Sequence, residues 1–202
     1  MKQFRFPQRK AAEAFWGTLS EGRPPDLRFY EKTSVMSSPQ NLTYLYQFCR
    51  RLEVKTVIEI GAGISTQVMH DAGVARVQTC CRSEVSLPPR PNPTCELEFF
   101  KCESTEMLLA LKDAPDLFFI DGRLHPEDFA HIRRLSRPDT WYLLDDFYGL
   151  DKGVANAFWL APGRYVLPPV GESSLAALAP LNQLAFTTYY GFSREPIFHH
   201  PV

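Results

Sequence analysis

The chain has 202 residues, 45% of them hydrophobic and 22% charged, with a formal net charge of -1. That length supports one domain with its own core, and that composition reads as folded rather than disordered. The near-neutral balance gives no electrostatic reason to expect nucleic acid or an anionic membrane as a partner, and no apolar run is long enough to span a bilayer.

The first fifteen residues, MKQFRFPQRKAAEAF, are charged and lack the apolar core of a signal peptide, so a cytoplasmic protein is expected. The first helix is expected over Arg9 to Leu19, with Ala11, Phe15 and Leu19 on one face. A loop with Pro24-Pro25 follows. In SSPQNLTYLYQFCRRL, Ser38 is a good N-cap and Pro39 takes the first helical position. Leu42, Leu45, Tyr46 and Cys49 then recur at helical spacing.

From Lys55 the rhythm changes. KTVIEI is a short apolar strand, and a helix starting near Ser65 follows it. VARVQTC is a second strand. SLPPRPNP cannot be helical, because each proline removes a donor. CELEFFKC is a third strand, and Ser104 can cap the helix TEMLLALK. DLFFID is a fourth strand, PEDFAHIRRL a helix opened by Pro126, and TWYLLDD a fifth strand. DKGVANAFWL is helical by pattern. RYVLPP and LAFTTYYG read as two closing strands around a proline- and serine-bearing loop. Arg133, Arg134 and Arg137 read as a solvent-facing strip. The five cysteines show no zinc spacing, so Cys80, Cys81, Cys95 and Cys102 read as small hydrophobes rather than as a metal site.

Strands alternating with helices imply a mainly parallel sheet covered on both faces. Ligands of such sheets bind at the carboxyl ends of the strands. Polar groups stand at nearly all of those ends: Glu59 to Gly63, Cys81 to Glu84, Cys102 to Ser104, Asp121-Gly122 and Asp145-Asp146. In TVIEIGAGIST, Gly61 and Gly63 allow a tight turn and a ligand lying on bare backbone, with a helix N-terminus behind it. A dinucleotide loop would carry glycine where Thr66 stands, and a phosphate loop would carry a lysine before its hydroxyl. An acid two residues before the first glycine suits a ligand with positive charge.

The pattern Glu59-x-Gly61-x-Gly63-x-Ser65 after an apolar strand resembles the first motif of the class I S-adenosylmethionine-dependent methyltransferases. The segment from Ser38 through this turn, and DLFFIDGRLHPEDFAHIRRLSRPDTWYLLDDFYG, are similar to the small-molecule O-methyltransferase-like members. The resemblance implies an α/β, Rossmann-like three-layer sandwich. Its seven-stranded sheet would be mostly parallel, with one antiparallel strand near the C-terminus. It also implies one domain over 1–202, with 1–53 a helical lead-in and 54–202 the core. S-adenosylmethionine would lie against Gly61, Ala62 and Gly63, with Glu59 organising the pocket, Ser65 and Thr66 beside it, and Asp121 touching the cofactor. The family usually ends its second strand with an acid that grips the ribose. Here that place falls at Cys80, Cys81 or Arg82, with Cys81 the nearest match and Glu84 the nearest acid. Glu103 or Ser104 would serve the adenine side.

Asp121, Asp145 and Asp146 end two neighbouring strands and could hold Mg²⁺, as ligands at matching positions do in the metal-dependent branch of the family. The alternative gives Asp121 to the cofactor, Asp145 to a loop cap and Asp146 to solvent. Asp146 and His125 are the candidate catalytic residues, His125 as a general base. Phe147, Tyr148 and Trp159 could wall a pocket for a small-molecule substrate. A homo-oligomer is compatible with the sequence. The expected activity is methyl transfer to a small molecule, most plausibly at oxygen. The rival reading is a methyltransferase-like domain without turnover, serving in binding or scaffolding. A nicotinamide-dependent oxidoreductase is disfavoured by Thr66.

Overall fold

The computed structural model describes residues 9–21, 38–83 and 94–180. Pro24-Pro25, Glu84, the proline-rich stretch at 86–93, the closing strand expected at 184–191 and His199-His200 lie outside the described residues.

Two helices lead in, α1 (Arg9–Ser20) and α2 (Pro39–Arg51). Ser38 caps α2 as expected, its hydroxyl accepting from the Asn41 N–H at 3.1 Å. Then come β1 (Thr56–Ile60), α3 (Ile64–Asp71), β2 (Arg76–Cys80), β3 (Glu96–Phe100), α4 (Ser104–Ala110), β4 (Leu117–Ile120), α5 (Pro126–Leu135), β5 (Trp141–Leu144), α6 (Gly153–Leu160), β6 (Arg164–Leu167) and β7 (Ala176–Pro180). The strands form one seven-stranded sheet in the order β3-β2-β1-β4-β5-β7-β6. Neighbours from β3 to β5 pair in parallel, and β7 runs antiparallel to both β5 and β6. This is the expected mostly parallel sheet with one reversed strand.

Alternate residues of a strand face opposite ways, so strands apolar throughout supply two cores. On one face Val57, Val77, Leu117, Phe119, Trp141, Leu143 and Tyr165 pack under α1, α2 and α3. On the other, Ile58, Ile60, Phe118, Ile120, Tyr142, Leu144 and Val166 pack under α4, α5 and α6. Phe15 and Leu19 of α1 are buried as expected, together with Ala12 and Trp16. Trp16 donates from Nε1 to Pro168 O at 2.8 Å and fastens the lead-in to the end of β6. No helix among the described residues is long and apolar enough to cross a membrane.

The reversed strand comes from a stretch read as loop. Its sequence is AALAP, and alanine has little intrinsic preference for strands. All five residues are nevertheless buried, between β5 and β6 within the sheet. Small side chains suit that crowded place, where packing outweighs propensity.

The start of α6 is set by close approach. A Cβ on Gly153 would overlap the backbone of Phe147 and sit 2.6 Å from Asp146 O. Only glycine lets α6 press against the turn that follows β5. Gly153→Ala raises helix propensity by about 1 kcal/mol, which alone would stabilise the protein. The overlap should reverse the sign, lowering the unfolding free energy by about 1–3 kcal/mol in a denaturant titration. A stabilised variant would show that this approach is loose.

Candidate functional site

Glu59 sits at the penultimate position of β1 and is fully buried, on the face covered by α2 and α3. Both of its oxygens are satisfied. Ser65 Oγ donates to Oε1 at 2.6 Å and Thr66 Oγ1 donates to Oε2 at 2.5 Å. Thr66 Oγ1 also accepts the Gly63 N–H at 3.1 Å. The carboxylate therefore braces the turn from beneath through the first turn of α3. The hydroxyls of Ser65 and Thr66 point inward to Glu59. Burial raises the Glu59 carboxyl to about 7, against the hydrogen bonds of Ser65 and Thr66 that favour its charged form. Glu59 is thus only partly ionised near neutral pH, so its charge is no strong lure for a cationic ligand.

The donors of the turn are also used internally. Gly61 and Ala62 both give their N–H to Cys80 O, at 3.2 and 3.1 Å. Gly61 has φ 104°, and a Cβ there would lie 2.7 Å from the Asp121 carbonyl oxygen. Gly61 is therefore demanded by the approach of β1 to the end of β4. Gly63 is different. Its φ is -177°, extended backbone, and nothing lies within 4 Å of the place a Cβ would take. The turn offers open space at Gly63 and the N-terminus of α3 behind it.

Asp121 and Asp146, at the ends of β4 and β5, are brought together by a residue the sequence reading left inside a helix. Lys152, just before α6, donates from Nζ to Asp121 Oδ1 and Asp146 Oδ2, both at 2.6 Å. Asp146 holds φ 49°, an uncommon conformation for a residue other than glycine. Burial raises Asp121 to about 6; Lys152 opposes the rise, while Asp145 and Asp146 add to it. Burial alone would lower Lys152, yet its bonds to the two aspartates raise it overall. Asp121 and Lys152 are both charged at neutral pH.

Asp145 faces elsewhere. Its Oδ1 accepts from Asn41 Nδ2 at 2.9 Å, from Ser174 Oγ at 2.9 Å and from the Asp146 N–H at 2.8 Å. Asn41 Oδ1 in turn accepts from Ser173 Oγ at 2.7 Å and from the Ser174 N–H at 3.1 Å. The metal expectation is corrected on these grounds. The ammonium of Lys152 takes the carboxylates a cation would need, and Asp145 is committed to α2 and the β6–β7 loop. Among the described residues no group of three or more His, Cys, Asp or Glu side chains could hold a metal ion. The cysteines are free thiols; Cys95 precedes β3, at the opposite end of the strands from Cys81 and Cys102.

On the β2–β3 side, Cys81 follows β2 and is half-buried, its N–H bonded to Phe100 O at 3.2 Å. Arg82 forms an ion pair with Glu103, and His125 Nε2 lies 3.8 Å from Glu103 Oε2. His125 thus joins Glu103, a cluster separate from Lys152 and Asp146. Ser104 is the first residue of α4 and not its cap, which is Glu103. The Ser104 hydroxyl donates to Asp128 Oδ2 at 2.7 Å, and Thr105 donates to Asp128 Oδ1 at 2.6 Å. Fully buried Asp128 also accepts the His125 N–H at 2.9 Å, tying α4 to α5. Its position two residues after the helix-opening Pro126 was the available signal for this role.

Beside Lys152 lies a cleft of about 300 Å³ lined by Arg123, Asp146, Tyr148, Gly149, Asp151 and Ser174. That is the lower end of the range for small-molecule sites. Phe147 is buried, whereas Tyr148 is exposed on the rim. Trp159 does not line this cleft.

No protein-family model matches the sequence, and no curated protein does. Solved structures do match. An O-methyltransferase from Bacillus cereus in complex with SAH is 19% identical, with a TM-score of 0.58 over 87% of this chain and 93% of that one. The SAH-bound methyltransferase PaMTH1 from Podospora anserina is 17% identical, with a TM-score of 0.54 over 86% and 88%. The O-methyltransferase TomG from Streptomyces achromogenes, in complex with SAM, is 18% identical, with a TM-score of 0.51 over 89% and 98%. The class I S-adenosylmethionine-dependent methyltransferase fold expected from the motifs is the fold of this chain.

Two outcomes test the electrostatics. Glu59 titrates near 7 when folded and near its ordinary 4.5 when unfolded, so its contribution to stability is complete below about 4.5 and is lost as pH rises through about 7. Relative to Glu59→Gln, the wild type should therefore lose roughly 2–3 kcal/mol between pH 4.5 and 8. A difference between the two proteins that is flat with pH would refute the buried titration. Separately, Lys152→Met should raise the Asp121 titration above about 6 in carboxyl-detected NMR. An unmoved Asp121 would mean that the ammonium does not set its acidity.

Proposed function

We propose that the protein is a cytosolic S-adenosylmethionine-dependent methyltransferase acting on a small molecule, at oxygen, as a single domain with a helical lead-in. One observation carries the reading. The Asp121 carbonyl packs on Gly61, and the Asp121 carboxylate takes the ammonium of Lys152, which lines the neighbouring cleft. Asp121 thus links the glycine turn, a place for a methyl donor, to the residue that borders a place for an acceptor.

The residues present fit such a cofactor on the methionine side, where Gly63 leaves a space a side chain would fill. Gly61, Ala62, Gly63 and the start of α3 would hold that end, and Asp121 would border it. On the nucleoside side Cys81 replaces the ribose acid, and Glu103, held by Arg82, lends the nearest described carboxylate. The cofactor supplies an electrophilic methyl group on a sulfonium. The chain supplies position and proton handling. Asp146 lines the cleft and is placed to accept the proton of an acceptor hydroxyl. Lys152 has three N–H donors and gives two of them to aspartates. The third is available to hold the resulting oxygen anion, a task for which no divalent metal is required. His125, grouped with Glu103, belongs to the nucleoside side.

A second reading, binding without turnover, is favoured by the thiol of Cys81 where two charge-assisted bonds would otherwise form. Titration calorimetry with SAM and SAH, followed by a methyl-release assay, separates the two. The wild type should bind SAH. Gly63→Val should weaken binding at least tenfold while leaving the melting midpoint unchanged, because its side chain enters open space. Absence of wild-type binding at millimolar SAH would overturn the cofactor assignment; binding without any methyl release would favour the second reading.

A further inference from the structure

The opposite edge of the sheet holds a second cleft, of about 310 Å³, lined by Arg133, Ser136, Arg137, Tyr142, Trp159 and Arg164 among others. The expected solvent-facing strip is not uniform. Arg134, also exposed, donates to Leu108 O and Leu111 O, at 2.7 and 3.1 Å. Arg137 is neutralised by Asp116 at 2.6 Å and Asp139 at 3.2 Å. Among the described residues the Arg133 guanidinium donates to Trp159 O, at 2.9 Å. Arg164, the first residue of β6, is 8% exposed. It donates to Thr140 O and Tyr142 Oη, and its guanidinium lies 4.0 Å from the centre of the Tyr142 ring. Among the described residues neither Arg133 nor Arg164 meets a carboxylate.

A buried cation without a counter-charge is costly, and buried charges are ordinarily paired. A guanidinium has five N–H donors; the two engaged by Thr140 and Tyr142 leave three for an occupant. We propose that this cleft binds the phosphate group of a small phosphorylated ligand. Two uncompensated guanidiniums match the charge of a phosphate monoester, about -1.5 to -2 at neutral pH, better than that of a single carboxylate. The planar fork of arginine also suits phosphate oxygens. Trp159 on the wall offers a flat apolar face to the group that carries the phosphate. The site lies at the amino ends of β5 and β6, whereas the glycine turn follows the carboxyl end of β1, so it stands apart from the proposed methyl-transfer site.

The test is calorimetric titration of the full chain at fixed ionic strength with inorganic phosphate, phenyl phosphate and benzoate. Phenyl phosphate should bind about tenfold tighter than inorganic phosphate, and benzoate should bind more weakly than either. Arg164→Met and Arg133→Ala should each weaken phenyl phosphate at least tenfold, while Arg51→Ala and Gly63→Val should leave it unchanged. Arg133 is on the exposed rim, so its variant remains informative if Arg164→Met does not fold. No binding at ten-millimolar phosphate, or equal binding by Arg133→Ala and the wild type, would overturn the assignment. Benzoate binding as tightly as phenyl phosphate would overturn the choice of phosphate.

Discussion

A central strand covered on both faces has no room for a charge along its length, so ionisable groups are driven to its ends. β1, β4 and β5 obey this rule except at Glu59, which is fully buried inside β1. Its place is secured because the first turn of α3 carries two hydroxyl residues in succession, and both donate to it. The glycine turn, the start of α3 and the meeting of β1 with β4 all hang on that one carboxyl group. The N–H groups of Gly61, Ala62 and Gly63 are spent on holding the shape of the turn.

The same rule crowds carboxylates at the neighbouring ends. Asp121, Asp145 and Asp146 are too close to be tolerated without compensation, and the chain resolves them in two ways. Asp145 is turned into a neutral hydrogen-bond network with Asn41 and Ser174. Asp121 and Asp146 share an ammonium. Gly153 makes the second solution possible, because α6 could not otherwise approach closely enough to deliver Lys152. Packing and electrostatics are therefore one design here: an absent side chain positions a present charge.

The layered fold was legible because it depends on local patterns. Apolar runs such as LFFI and WYLL, alternating with capped helices, leave few arrangements open. β7 was not legible, since alanines carry no strand signature and its burial is conferred by β5 and β6. The edge carrying the site was visible as polar residues at strand ends. Their alliances were not. Lys152 lies 31 residues from Asp121 and 6 from Asp146, and nothing in DKGVANAFWL indicates that its first lysine turns back on two strands. Ser65 and Thr66 were recognised as important, but sequence shows which hydroxyls stand near a turn and not which side of it they face. The arginine strip faces solvent as expected, but residues 133, 134 and 137 look alike in sequence, and only their partners distinguish them.

Asn41 joins three parts of the chain through a single amide: its nitrogen serves Asp145 and Ser174, and its oxygen serves Ser173 and Ser174. An amide does this because one end gives and the other receives. Aspartate has the same outline but only receives, so at position 41 it would bring a second carboxylate to the place where nitrogen now meets Asp145 at 2.9 Å. Position 41 is consequently tied to position 145: an acid at 41 is tolerable only beside an amide at 145, so a residue of the lead-in helix answers to the end of a strand more than a hundred positions away.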